Sequence, residues 1–135
     1  MQTTFAGIAL GDETMGYAVG RRRLVRREEA LLWTHGALVR DDTPAWVWEV
    51  SVTVRLTGAD THAVNRAQAT LGTDLSAEAP SALAVADGEG PATIVTFPTM
   101  RFDALDPHEA TLPGDDSDRL VTLRFTGADD PVYPA

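Results

Sequence analysis

Ala45-Trp46-Val47-Trp48-Glu49-Val50-Ser51-Val52-Thr53-Val54-Arg55-Leu56-Thr57 decides how this chain folds. Its even positions, Trp46, Trp48, Val50, Val52, Val54 and Leu56, are all apolar. Its odd positions include Glu49, Ser51, Thr53, Arg55 and Thr57, with Ala45 and Val47 out of line. A side-chain period of two means a strand with one face buried and one wetted. The β-branched and aromatic residues suit a pleated, half-buried surface. Burying the six apolar side chains at ~1.5–3 kcal/mol each gives a gross gain of roughly 10–15 kcal/mol, before chain entropy is subtracted. Extended at ~3.3 Å per residue, the stretch is about 43 Å long. A compact globule of this length has a diameter of roughly 37 Å, so the strand must bend or project. Trp48 and Val52 on the even face are expected to be buried, and Thr53 and Arg55 on the odd face exposed or paired at an interface.

Upstream, Asp41-Asp42-Thr43-Pro44 is a turn, because proline bars the strand from starting earlier. His35-Gly36 lies between the apolar runs 30–34 and 37–40 and reads as a hairpin loop. Together these predict an antiparallel meander ending in the long strand. Residues 3–11, with Phe5, Ile8 and Leu10, are either a short edge strand or an arm, and 15–19 are a further short strand. Between them and the meander stand Arg21, Arg22, Arg23, Arg26 and Arg27, followed by Glu28 and Glu29.

Downstream the period changes. Asp60 or Thr61 can cap a helix, Val64, Ala67 and Leu71 share one face, and Gly72 stands where a C-terminal stop belongs. This predicts one helix over 61–71, with 75–80 a connection. Residues 82–86 and 92–97 flank Asp87-Gly88-Glu89-Gly90-Pro91, a second hairpin. Residues 99–105 are a further strand, 106–118 an acidic loop, 120–126 a closing strand and 128–135 a tail containing proline. One echo stands out. Val52-Thr53-Val54-Arg55-Leu56-Thr57-Gly58-Ala59-Asp60 recurs as Val121-Thr122-Leu123-Arg124-Phe125-Thr126-Gly127-Ala128-Asp129, with apolar exchanges at two places. Either a half-domain was duplicated or two neighbouring strands meet the same requirements. Both readings put the copies in equivalent environments, with Arg55 and Arg124 facing outward.

With 135 residues the natural reading is one domain over 1–135, able to bury a sizeable core. Zero cysteines exclude disulfides and thiolate metal sites. No apolar run is long enough to span a membrane, and no signal peptide is visible. A net charge of −9 argues against non-specific nucleic-acid binding through the surface as a whole. All 11 basic residues are arginine, which fits either a GC-rich coding sequence or a preference for planar, bidentate ion pairs.

No catalytic signature is present: no Gly-x-Ser-x-Gly, no His-Glu-x-x-His, no phosphate loop and no dinucleotide glycine pattern. His35, His62 and His108 are far apart in sequence, and we read each as solvated. Asp103, Asp106, Glu109, Asp115, Asp116 and Asp118 match no EF-hand spacing and read as a solvated acidic loop rather than a calcium site. The arginine cluster reads as a partner for carboxylates rather than a phosphate site. Trp46 and Trp48 read as core, with a stacking platform for sugars or bases as the alternative. No catalytic residue, cofactor or metal ligand is assigned.

The expected class is thus mainly β, an antiparallel β-sandwich or small barrel with one short helix. The order of the pieces resembles the β-sandwich of phage tail proteins, meaning tail-tube subunits and the tube-like domain of distal tail proteins. The matching features are Phe5-Ala6-Gly7-Ile8-Ala9-Leu10-Gly11, the arginine-rich strand, the His35-Gly36 hairpin, the long strand to Gly58, one helix, and a close on Gly127-Ala128-Asp129. The resemblance implies a non-enzymatic virion protein, assembled in the host bacterial cytoplasm, without cofactor or membrane. Its partners would be further copies of itself, commonly six in a ring, and neighbouring tail proteins, with DNA passing through the lumen. In such a ring Arg21, Arg22, Arg23, Arg26 and Arg27 of one subunit are expected to meet acidic residues of the next, Asp115, Asp116 and Asp118 among them. The alternative is a β-sandwich module that binds carbohydrate or protein.

Overall fold

A computed structural model describes residues 2–24, 45–86, 93–107 and 118–134. The long alternating stretch is one strand with the expected bounds, β4 (Ala45–Thr57). The others are β1 (Thr4–Phe5), β2 (Ile8–Ala9), β3 (Glu13–Leu24), β5 (Ser81–Ala86), β6 (Thr93–Pro107) and β7 (Asp118–Gly127), with the helix α1 (Thr61–Ser76) after β4. They form one seven-stranded sheet in the order β2-β1-β5-β6-β7-β4-β3. Every pairing among the described residues is antiparallel, so the fold is mainly antiparallel β, with one helix among those residues.

The sheet folds over on β6, which changes partner midway. Up to Met100 it pairs with β5, and from Arg101 it pairs with β7. The strands expected at 92–97 and 99–105 are one, although Pro98 between them cannot donate to a ladder. The register shifts between Leu83↔Phe97 and Ser81↔Met100, so Pro98 sits in an irregularity where no ladder bond is required of it. The fold brings the ring of Phe5 within 5.0 Å of that of Phe125. Gly127 lies at the same bend, where a Cβ would run into the Thr99 carbonyl oxygen. Between the two halves lies one apolar cluster, with Phe5, Val50, Val52, Val54, Phe97, Met100, Leu123 and Phe125 all at 1% exposure or less. The buried hydroxyls Thr3 and Thr14 bond to each other at 2.7 Å, and Thr3 also accepts the Ala86 amide.

Helix α1 closes this interior through Val64, Leu71 and Leu75. Asp60 is the cap, its carboxylate accepting the Ala63 amide at 2.8 Å. The expected stop at Gly72 is overturned, and the helix runs on to Ser76. Leu75 supplies a further buried side chain one turn beyond Leu71, and that contact favours continuing.

Residues 3–11 form a tight hairpin, β1–β2, whose turn residues Ala6 and Gly7 have φ of 52° and 81°. Positive φ at both central positions matches the twist of the flanking strands. The expected meander, through the runs 30–34 and 37–40, falls outside the described residues. Among the described residues the neighbours of β4 are β3 and β7. His35-Gly36 and the turn at 41–44 lie outside the described residues. The β5–β6 hairpin is as expected, with its turn outside them. The tail lies along β6, where Val132 and Thr96 exchange both backbone hydrogen bonds.

The echo is explained by adjacency. Its two copies lie side by side on β4 and β7 with Thr53 opposite Thr122, its own counterpart. A local two-fold axis therefore passes between these threonines. It sets Val52 opposite Leu123 and Val54 opposite Val121.

Candidate assembly surface

The β3–β4 ribbon carries the arginines, and its far end passes beyond the core. In β4 Val50, Val52 and Val54 are fully buried, but Trp48 on the same face is only half-buried and Trp46 is 42% exposed. The expectation that both tryptophans are core is thus corrected. Alternation showed which face they share, but not where the second layer ends. Trp48 still leans on Phe97, ring centroids 6.5 Å apart, and donates its indole N–H to Asp130 at 3.1 Å. Trp46 lies one step further out.

Register explains what covers the indoles. Arg21 is opposite Trp48, so its side chain shares the tryptophan face. The Arg21 guanidinium sits 4.9 Å from the Trp46 ring centroid and 4.8 Å from that of Trp48. Such a contact contributes ~0.5–1 kcal/mol at an exposed site. Sequence reasoning missed this triad, because it appears only once β3 is known to pair with β4. Arg22 points to the opposite face and pairs with Glu49 at 3.0 Å. Beside it an open groove of about 380 Å³ is lined by Arg22, Val47, Thr99, Arg101, Thr126 and Gly127. Arg26 and Arg27 lie outside the described residues.

The acids expected at the interface include Asp115, Asp116 and Asp118. Asp115 and Asp116 lie outside the described residues, and Asp118 is engaged inside the chain. Its two oxygens take Arg55 Nε and Nη2 at 2.7 and 2.6 Å, a bidentate fork. Glu13 stands 3.7 Å from the same guanidinium. The hydrogen bond from Arg55 holds the Asp118 carboxyl below its usual range, while the bond to Asp118 raises Arg55. Asp106 pairs with Arg124 and Asp103 with Arg101, each at 3.0 Å. Each described carboxylate of the 103–118 segment therefore holds an arginine, on the wetted face of the folded sheet. Among the described residues no group of acidic or histidine side chains could hold a metal ion. His62 is exposed in α1, and His35 and His108 lie outside the described residues.

The remaining feature is the outer edge of β3, which ends the strand order. Residues 15–22 are all exposed, including Met15 at 53%, Tyr17 at 44% and Val19 at 42%. No helix of the described residues is long and apolar enough to cross a membrane. No family model matches the chain, and no curated protein matches it.

Proposed function

We propose that the protein is a structural subunit that assembles with copies of itself into a ring, as a component of a phage tail. The observation that carries this reading is the ribbon. It lifts arginines and two tryptophans beyond the core of a chain whose net charge is −9. Charged subunits repel one another in a ring unless a positive patch meets acid on the neighbour. The Arg22–Arg101 groove offers such a patch a second anchoring point, since guanidinium forks bind carboxylates with fixed orientation. A head-to-tail contact of this kind closes when its rotation allows. The acidic surface suits a wall past which DNA slides, because like charge prevents the phosphate contacts that would hold it. Inside, the buried polar side chains among the described residues are Thr3 and Thr14, bonded to each other, so the interior reads as scaffold.

The test is solution mass across a range of salt. The parent is expected at a multiple of its 14.5 kDa, six copies for the commonest ring. Replacing Arg22, Arg23 and Arg26 together by Glu is expected to abolish rings while leaving the melting temperature in place. A parent that never exceeds a dimer at low salt refutes the ring. One observation favours a second reading, a carbohydrate- or protein-binding module: Trp46 presents an exposed indole. That reading expects Trp46→Ala to remove ligand-dependent fluorescence change from an otherwise monomeric protein.

A further inference from the structure

Among the described residues the outer edge of β3 is free, and it is self-complementary. Residues 16–20 read Gly16-Tyr17-Ala18-Val19-Gly20, glycine at both ends, an aromatic or branched residue next, and alanine at the centre. An antiparallel strand laid against itself about Ala18 places Gly16 opposite Gly20 and Tyr17 opposite Val19. The faces agree. Tyr17 and Val19 share the face of Val52 and Val50, whereas Gly16, Ala18 and Gly20 share that of Thr53, Ser51 and Glu49. Beyond the pentapeptide Met15 is the extra residue of a β-bulge, skipped in the pairing of Thr14 and Gly16 with β4. Allowing for it in both strands, Glu13 falls opposite Arg22 of the second copy, on the same face. Acid meets base at both ends of the paired segment.

We infer that two copies of this chain pair through the outer edges of β3, antiparallel, about a two-fold axis at Ala18. The pairing covers an edge that would otherwise expose a row of unpaired backbone groups together with Met15, Tyr17 and Val19. It also sets Tyr17 against Val19 twice, an aromatic–branched cross-strand pair that stabilises sheets. The two seven-stranded sheets become one continuous sheet. A two-fold contact is isologous and closes at two copies. It is therefore independent of the ring: alone it gives a dimer, and together with a ring contact it gives two rings face to face.

The chain has no cysteine, so a single introduced thiol reports the register. Opposed residues in an antiparallel pair have Cα atoms ~4.5–5.5 Å apart, within disulfide range. Ala18→Cys is expected to cross-link to a dimer under mild oxidation. Gly16→Cys and Gly20→Cys, each facing the other type, are expected to cross-link only when mixed. Asn65→Cys, exposed on α1, is the control for random collision. Tyr17→Lys with Val19→Lys is expected to halve the mass of the parent dimer with an unchanged far-ultraviolet circular dichroism spectrum. Cross-linking at Ala18→Cys no faster than at Asn65→Cys overturns the inference. So does a parent that stays monomeric at high concentration, its edge then being open to a strand from another protein.

Discussion

Phe125→Ala tests whether the folded sheet encloses the core as described. Phe125 is 1% exposed and stands between Phe5 at 5.0 Å and Phe102 at 5.6 Å, the latter edge-on. It thus joins β1 of one half of the sheet to β6 and β7 of the other, and neither neighbour can collapse into the space without leaving its own strand. Truncating a buried phenylalanine costs about 3–5 kcal/mol, and this site belongs at the upper end of that span. A chain of this length has a total stability of roughly 7–20 kcal/mol, so the variant should fold but melt early. The expected drop is roughly 10–20 °C by differential scanning calorimetry. Trp46→Ala removes an even larger ring, but an exposed one, together with a cation contact of ~0.5–1 kcal/mol. Its melting point should fall by less than about 5 °C. Equal losses in the two variants, or a larger one at Trp46, would refute the placement of the core.

Three further outcomes are expected. The depressed Asp118 carboxyl makes its pair with Arg55 stabilising above the unfolded aspartate value of ~3.9, and that contribution is lost as pH falls through the lower folded value. The melting-temperature gap between parent and Asp118→Asn should therefore be constant from pH 5 to pH 8 and close below about pH 3.9. Asp60→Ala removes the α1 cap and should cost ~1 kcal/mol in urea unfolding, whereas Asp60→Asn should cost much less. Thr3→Val leaves a buried Thr14 hydroxyl and the Ala86 amide without this partner, a loss of ~1–3 kcal/mol in the same assay.

The sequence carried different parts of this structure with different clarity. Alternation in β4 announced both its ends, because Pro44 blocks one and Gly58 follows the other. Where two signals competed, the local one lost. Gly72 resembles a helix stop, but Leu75 had a place in the core and drew the helix past it. Pro98 resembles a strand break, but a bulge absorbs it. The arginine–tryptophan triad was hidden for another reason. Arg21 stands more than 20 residues from both tryptophans in sequence, and only the register of β3 on β4 places them together. Asp118 was legible as an acid and not as a partner, since nothing local links it to Arg55.

The local two-fold between β4 and β7 also bears on how the chain reaches this state. From Val121 to Gly127 β7 offers β4 nearly the same edge that a second β4 would offer. During folding, a β4 from another molecule is thus a close imitation of the correct neighbour, and it competes in proportion to concentration while the tethered β7 does not. What tells them apart lies outside the echo: Trp46 and Trp48 at one end of β4, and the capped helix that follows Gly58 but does not follow Gly127. Fidelity of pairing therefore rests on the flanks of the strand, the tryptophans at one end and the capped helix at the other.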